Sequence, residues 1–279
     1  MEFITKKAYG KINLFLSVGK KRPDGRHEVE NVMCRVGVYD IITLKKTDSG
    51  ITVSADADLP TDENNIAYLA AKHYFERADI KGGADIKIEK HIPIKGGMGG
   101  GSSDAATVLE ALNEMYGGLD FSALCEIAAE LGADVPFFLY GDKVMLGRGT
   151  GTELTEVGRI DAEMYGVFVT CGEKQSTGRA YAMLDELRGE NHTQKSSDAL
   201  VDAVRKNDIS LIAGAIENDF ELCNPHFAEV KKALDSLDCI KAFLCGSGPT
   251  ACGIFDTEEK ARNVSKRLAY PSFVAKIGI

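Results

Sequence analysis

The sequence predicts an α+β protein of two lobes, on three observations. Segments with a period of two residues alternate with segments of helical period, and that mixture builds sheets covered by helices. The chain has 279 residues, 44% of them hydrophobic, enough to fill more than one core. Gly96, Gly97, Gly99, Gly100 and Gly101 are packed between a predicted strand and a predicted helix. We place the lobes at residues 1–154 and 155–279.

The elements follow in order. Residues 8–18 alternate like a strand, with Ile12, Leu14 and Leu16 on one face and Lys11 and Asn13 on the other. Residues 19–27 are a charged loop with a turn at Pro23, Asp24 and Gly25, and strands are expected at 36–45 and near 50–55. Asn64 or Asn65 can cap a helix running through Ile66, Leu69, Ala70 and Tyr74. A strand near 84–90 feeds the glycines. Ala105, Val108, Leu109, Leu112 and Met115 then recur at helical spacing up to Gly117 and Gly118, which puts the helix start near Ser102 or Ser103. A helix over 122–131 closes at Gly132. In the second half a strand is expected at 164–171 and helices at 178–187, 197–205, 209–217, 226–237 and 258–268. Strands at 241–245 and 250–255 flank Gly246 to Pro249, and Gly189 to Ser197 reads as an exposed loop.

Composition narrows the function. Lys and Arg number 33 against 42 Asp and Glu, a net charge of −9, and the basic residues are scattered, which speaks against a nucleic-acid surface. No apolar run reaches membrane-spanning length and the first residues lack the apolar core of a signal peptide, so a soluble cytoplasmic protein is expected. Seven Cys form no C-x-x-C pair and are expected as reduced thiols.

The glycine run carries the chemistry. Glycines let the backbone approach a ligand closely with its N–H groups turned inward, and a helix starting behind them adds unpaired N–H groups and a partial positive charge. The pattern suits a polyphosphate. No Lys follows the glycines as in the common P-loop, and no acidic residue completes a dinucleotide site.

Taken with other segments, the run resembles a known family. Those segments are Ala8 to Leu16, Asp24 to His27, Tyr39 with Asp40, Pro60 to Ile66, Pro93 to Ala106, Ala133 to Pro136, Asn218 to Glu221 and Cys245 to Thr250. In this order they resemble the GHMP small-molecule kinases, named after galactokinase, homoserine, mevalonate and phosphomevalonate members. The resemblance implies an N-terminal lobe like the second domain of ribosomal protein S5, a ferredoxin-like C-terminal lobe, and ATP with Mg²⁺. The opening segment, the Asp24 to His27 turn and Asn218 to Glu221 further resemble members whose substrate is a cytidylyl sugar-alcohol. These phosphorylate the 2-hydroxyl of a diphosphocytidyl methylerythritol on the non-mevalonate route to isoprenoid precursors. A kinase for a homoserine- or mevalonate-type alcohol, or a non-catalytic nucleotide sensor, are the competing readings. Retention of both Lys11 and Asp134 counts against the sensor.

By the same resemblance Asp134 takes the hydroxyl proton and Lys11 stands beside it. Alone, Asp134 reads as a turn residue and Lys11 as a solvated side chain. Pro93, Gly96, Gly97, Gly99, Gly100, Gly101, Ser102 and Ser103 would hold the phosphates, and Asn65 and Ile66 lie where the family places adenine. No protein cage for a metal is expected: Mg²⁺ comes with ATP, and Ser102 or Ser103 can assist. Asn13, His27, Thr177, Tyr181, Gly246, Ser247 and Gly248 match substrate positions. Arg26 stands where the family usually has Tyr against cytosine, and a guanidinium plane can also stack on a base. A monomer or homodimer without nucleic-acid or membrane partners is expected.

Overall fold

The computed structural model describes residues 2–172, 176–189 and 193–279. They form two compact units, each assembled from separated segments: Met1–Gly10, Val38–Ile94 and Gly99–Gly141 in the first, Lys11–Gly37, Lys95–Met98 and Asp142–Ile279 in the second. Two long strands, β1 (Phe3–Lys21) and β2 (His27–Thr47), have residues in each.

In the first unit the later half of β2 pairs antiparallel with β4 (Gly83–Glu89), which pairs in parallel with β3 (Gly50–Ala55). Helices α1 (Ile66–Ala78), α2 (Gly100–Tyr116) and α3 (Phe121–Leu131) pack together beside them, followed by a 3₁₀ turn at Pro136–Tyr140. Local chemistry sets the helix ends. Asn65 Oδ1 accepts the Ala67 amide at 2.9 Å and Asp120 Oδ1 the Ala123 amide at 2.9 Å, each satisfying a donor that the helix start leaves open.

The second unit contains a hairpin that the sequence did not announce, β5 (Val144–Arg148) with β6 (Glu153–Gly158), attached to the first half of β2. Its other sheet is built from β7 (Tyr165–Thr170), β9 (Lys241–Leu244), β10 (Thr250–Phe255) and β11 (Ser272–Lys276), in the order β11-β7-β10-β9 and antiparallel throughout. Helices α4 (Thr177–Arg188), α5 (Asp198–Lys206), α6 (Ile209–Ala215) and α7 (Phe227–Asp235) lie between β7 and β9, and α8 (Glu258–Arg267) between β10 and β11. This is ferredoxin-like order, with the fourth and third strands of the sheet flanking the first. Its core joins Leu16 and Val18 of β1 to Val167, Val169, Phe220 and Leu244. A two-residue strand, β8 (Glu217–Asn218), pairs with β1 at Phe15 and Leu16.

The segment expected as an exposed loop is partly tied down. Glu190 to His192 lie outside the described residues, but Ser17 Oγ accepts the Lys195 amide at 2.9 Å and Glu30 accepts the Ser197 amide at 2.8 Å. Ser197 is buried, because these bonds draw its backbone onto β1 and β2. The seven cysteines are free. Among the described residues no helix is long and apolar enough to cross a membrane.

Candidate active site

The helix behind the glycines starts earlier than its sequence pattern suggests. Gly99 adopts a left-handed conformation at φ 73° and becomes the N-cap, so α2 begins at Gly100 rather than at Ser102 or Ser103. Only glycine enters this geometry at little cost. The Ser103 amide is thereby spent within the helix, donating to the Gly99 carbonyl at 2.8 Å. The amides of Gly99, Gly100, Gly101 and Ser102 are the ones without an intrahelical acceptor. Ser102 is half-buried and Ser103 fully buried, so Ser102 is the better placed hydroxyl for a ligand. Pro93 precedes this start as a half-buried residue.

Asn65 uses both ends of its side chain locally. Its oxygen caps α1 and its Nδ2 donates to the Pro60 carbonyl at 2.7 Å, while Ile66 lies 3.5 Å from the position a Cβ on Gly101 would take. Asp134 stands half-buried in the turn between Gly132, which ends α3, and Val135, whose amide donates to the Gly132 carbonyl at 3.1 Å.

Beneath α2 lies a buried ionic cluster that sequence reasoning missed. Lys90 Nζ donates to Asp40 and, at 2.8 Å, to Asp104. Burial raises the Asp104 carboxyl pKa, Lys90 opposes the rise and the Asp40 charge adds to it, bringing the value to about 7. Burial also works against the Lys90 charge, but Asp104 and Asp40 outweigh it and hold the ammonium pKa above the usual lysine value. The sign for Asp104 is unfavourable. Between its ordinary value of 3.8 and about 7 the folded chain holds the proton that the unfolded chain has lost, so this group's contribution to stability falls as pH rises through that window. Asp104→Asn is expected to flatten the pH dependence of the melting temperature between about pH 4 and 7. An unchanged slope in a differential scanning series would contradict the assignment.

In the second unit Lys11 is buried, 4% exposed, where the residues alone suggested a solvated side chain. Its Nζ donates to Asn13 Oδ1 at 2.7 Å and its amide to the Met98 carbonyl at 2.9 Å. The Asn13 amide donates to the Cys245 carbonyl at 2.8 Å, which brings the turn after β9 to β1. A Cβ on Gly246 would lie 3.0 Å from the Gly97 carbonyl oxygen, 3.3 Å from Asn13 Oδ1 and 3.9 Å from Lys11 Nζ. Gly96 is buried, and a Cβ on Gly97 would lie 2.8 Å from the Gly248 Cα. Asn218 fixes this turn: its Nδ2 donates to the carbonyls of Leu244 and Gly246 at 2.7 and 3.0 Å. The structure thus brings Lys11, Asn13, Gly97, Gly246 and Gly248 together.

A second grouping surrounds His27. Its Nε2 lies 2.9 Å from Asp185 Oδ1, and its ring stacks on Tyr181 with centroids 5.0 Å apart. Tyr181 and Asp185 are one helical turn apart on α4, whose first residue is the exposed Thr177. Tyr181 also meets Phe220 edge-on, and the stacked His27 ring covers one of its faces. Arg26 pairs with Asp24. Its Nε and backbone N–H donate to Asp24 at 3.2 and 3.0 Å, and its side chain is 67% exposed. Asp185 had no sequence signal; a carboxylate one turn after an aromatic is common on helix surfaces. A cavity of about 660 Å³, within the size range of small-molecule sites, opens beside Ser247 and Gly248 and is lined also by Ser176, Arg179, Asn224 and His226.

Comparison with known proteins identifies the family. The family model for the GHMP kinases N terminal domain matches residues 65–142, and that for the GHMP kinases C terminal matches residues 200–271. A curated 4-diphosphocytidyl-2-C-methyl-D-erythritol kinase of Alkaliphilus metalliredigens is 36% identical over 96% of this chain and 94% of its own. One of Pelotomaculum thermopropionicum is 38% identical over 95% and 93%. A crystal structure of 4-(cytidine 5'-diphospho)-2C-methyl-D-erythritol kinase superposes with a TM-score of 0.83 at 29% identity, covering 99% of this chain and all of that one. A homoserine kinase from Cytophaga hutchinsonii shares the fold alone, at a TM-score of 0.76 and 20% identity, over the whole of this chain and 95% of its own. The chain therefore belongs to the GHMP kinases and, within them, to the family of the 4-diphosphocytidyl-2-C-methyl-D-erythritol kinases.

Proposed function

We propose that this ATP-dependent kinase phosphorylates the 2-hydroxyl of 4-diphosphocytidyl-2-C-methyl-D-erythritol, releasing the 2-phosphate and ADP in the non-mevalonate route to isoprenoid precursors. The observation that carries the reading is the buried Lys11 beside the Gly246 turn, in a chain 36% identical to a kinase of this name over 96% of its length. Phosphoryl transfer asks the protein mainly to hold charge and to orient a hydroxyl. The open amides of Gly99 to Ser102, with Pro93, Gly96 and Gly97, are proposed to hold the polyphosphate, and Asn65 and Ile66 to border the adenine. Asp134 accepts the proton of the 2-hydroxyl, and Lys11 stabilises the charge on the group in transfer.

The loop suits a nucleotide because its backbone takes φ 82° and 73° at Gly97 and Gly99, which glycine enters at little cost, and the open helix-start amides follow directly. Magnesium, when bound with ATP, neutralises phosphate charge, and Ser102 rather than the buried Ser103 would face it. His27, oriented by its pairing partners, reads the base, with Asn13, Thr177, Tyr181 and the turn Gly246, Ser247 and Gly248 contacting the rest of the substrate. We place the ATP-binding lobe at 1–154 and the second lobe at 155–279, since the two family matches fall on either side of that division. The protein is proposed to act in the cytoplasm as a monomer or homodimer. Arg26 is the one observation that favours a second reading, a homoserine- or mevalonate-type alcohol, because its guanidinium is committed to Asp24 rather than available to a base.

Base recognition is tested by substitution. His27→Ala is expected to raise KM for the cytidylyl substrate about tenfold or more while KM for ATP moves less than about twofold. Equal rises in initial-rate measurements would remove His27 from base recognition.

A further inference from the structure

Asp40 follows Tyr39 on β2 and has no part in the chemistry above, yet no described carboxylate is more fully enclosed. Its Oδ1 accepts the amides of His91 and Ile92 at 2.6 and 2.8 Å, and its Oδ2 accepts Lys90 Nζ. Three consecutive residues at the entrance of the glycine loop therefore converge on one carboxylate. The Lys90 amide is held as well, by Asp56 Oδ1 at 2.9 Å. From Asp40 the cluster continues through the Lys90 ammonium to Asp104, one turn into α2, on the far side of the loop. It also reaches the helix start itself. A Cβ on Gly100 would lie 3.2 Å from Ile92 Cγ2 and 3.3 Å from Lys90 Nζ, so both side chains lie close against the first residue of α2.

We infer that Asp40 is a positioning residue for the nucleotide, fixing the entrance and exit of the glycine loop so that the amides of Gly100 to Ser102 are aimed before ATP arrives. The inference rests on the reading that this loop holds the ATP phosphates. Amides held in place in the free protein bind an anion without first losing backbone freedom, and the affinity retains that difference. A buried ion pair serving stability alone has no reason to gather the amides of the loop entrance. Asp40→Asn keeps the shape but presents an NH₂ group where Lys90 expects an acceptor, leaving a buried ammonium with one carboxylate.

The test compares wild type, Asp40→Asn and Lys90→Met by initial rates and by calorimetric titration with Mg-ADP. Asp40→Asn is expected to raise the ATP KM and the ADP Kd about tenfold or more, with the cytidylyl KM within about twofold; Lys90→Met should move them in the same direction. Unchanged nucleotide constants, or equal rises in both KM values, overturn the inference. If Asp40→Asn does not fold, hydrogen exchange of Lys90→Met decides: faster exchange at His91, Ile92 and Ser103, the hydrogen-bonded amides on either side of the loop, with unchanged exchange in β3 and β4 supports it, and unchanged exchange at all three overturns it. Failure of wild type to bind Mg-ADP would sink the reading of the loop itself, whereas normal wild-type binding with an indifferent Asp40→Asn sinks only this inference.

Discussion

Asp134→Asn is expected to lower kcat by about two to four orders of magnitude while leaving ADP affinity within about threefold. Asn has the same shape but cannot accept the hydroxyl proton, so the loss falls on the chemical step. The nucleotide would be held by backbone amides at Gly99 to Ser102, which this substitution does not alter. The substitution leaves the bond from the Val135 amide to the Gly132 carbonyl, which closes the turn, untouched. Rapid-quench single turnovers beside ADP titrations separate the two effects. A kcat within about tenfold of wild type would take proton transfer away from Asp134.

The second large effect is steric. Gly97→Ala places a Cβ 2.8 Å from the Gly248 Cα and 2.9 Å from its nitrogen, at a φ of 82° that alanine adopts only with strain. Backbone cannot step aside as a flexible side chain can. The loop and the turn at Gly246 to Pro249 must then separate, and we expect about 1–3 kcal/mol of lost stability with at least about a hundredfold loss in kcat/KM. Gly141→Ala is the control: its φ is 73°, but nothing lies within 4 Å of the added carbon. It should cost about 1 kcal/mol in urea unfolding and leave turnover nearly intact. Equal losses in the two variants would show that backbone strain alone, not the close approach of two loops, sets the cost.

Periodicity revealed most of the helices and strands because each buries one face against a core, and alternation or helical spacing records that face directly. It failed where burial is shared or brief. The first residues of β1 include Lys6 and Lys7 and do not read as a strand, yet Lys7 Nζ lies 4.2 Å over the Tyr39 ring and Thr5 bonds Thr43 at 3.1 Å, contacts made across the sheet. The β5–β6 hairpin is edged by charge, with Lys143 bonded to Glu156 at 2.5 Å, and β5 shows no alternation because Val144, Met145 and Leu146 are consecutive and all buried. The start of α2 was misplaced because the serines look like caps, whereas the conformation of Gly99 decided the matter.

The same distinction holds in the site. The glycine loop was legible since its residues are adjacent and their backbone freedom is intrinsic. Asp40, Lys90, Asp185 and Asn218 were not assigned roles, because each acquires its role from a partner far along the chain. Asp40 bonds Lys90 across fifty positions and His27 meets Asp185 across 158. A carboxylate's neighbours in sequence carry no trace of such a partner. The burial of Lys11 was equally hidden, since an alternating strand shows which residues share a face but not what covers it.

Substrate choice is measured most directly by offering the purified protein Mg-ATP with 4-diphosphocytidyl-2-C-methyl-D-erythritol, homoserine or mevalonate in parallel, following ADP release and the phosphorus spectrum of the product. ADP release with the cytidylyl alcohol alone, and a new phosphomonoester on its 2-oxygen, is the result expected here. Turnover confined to homoserine or mevalonate, with the cytidylyl compound inert, would contradict it.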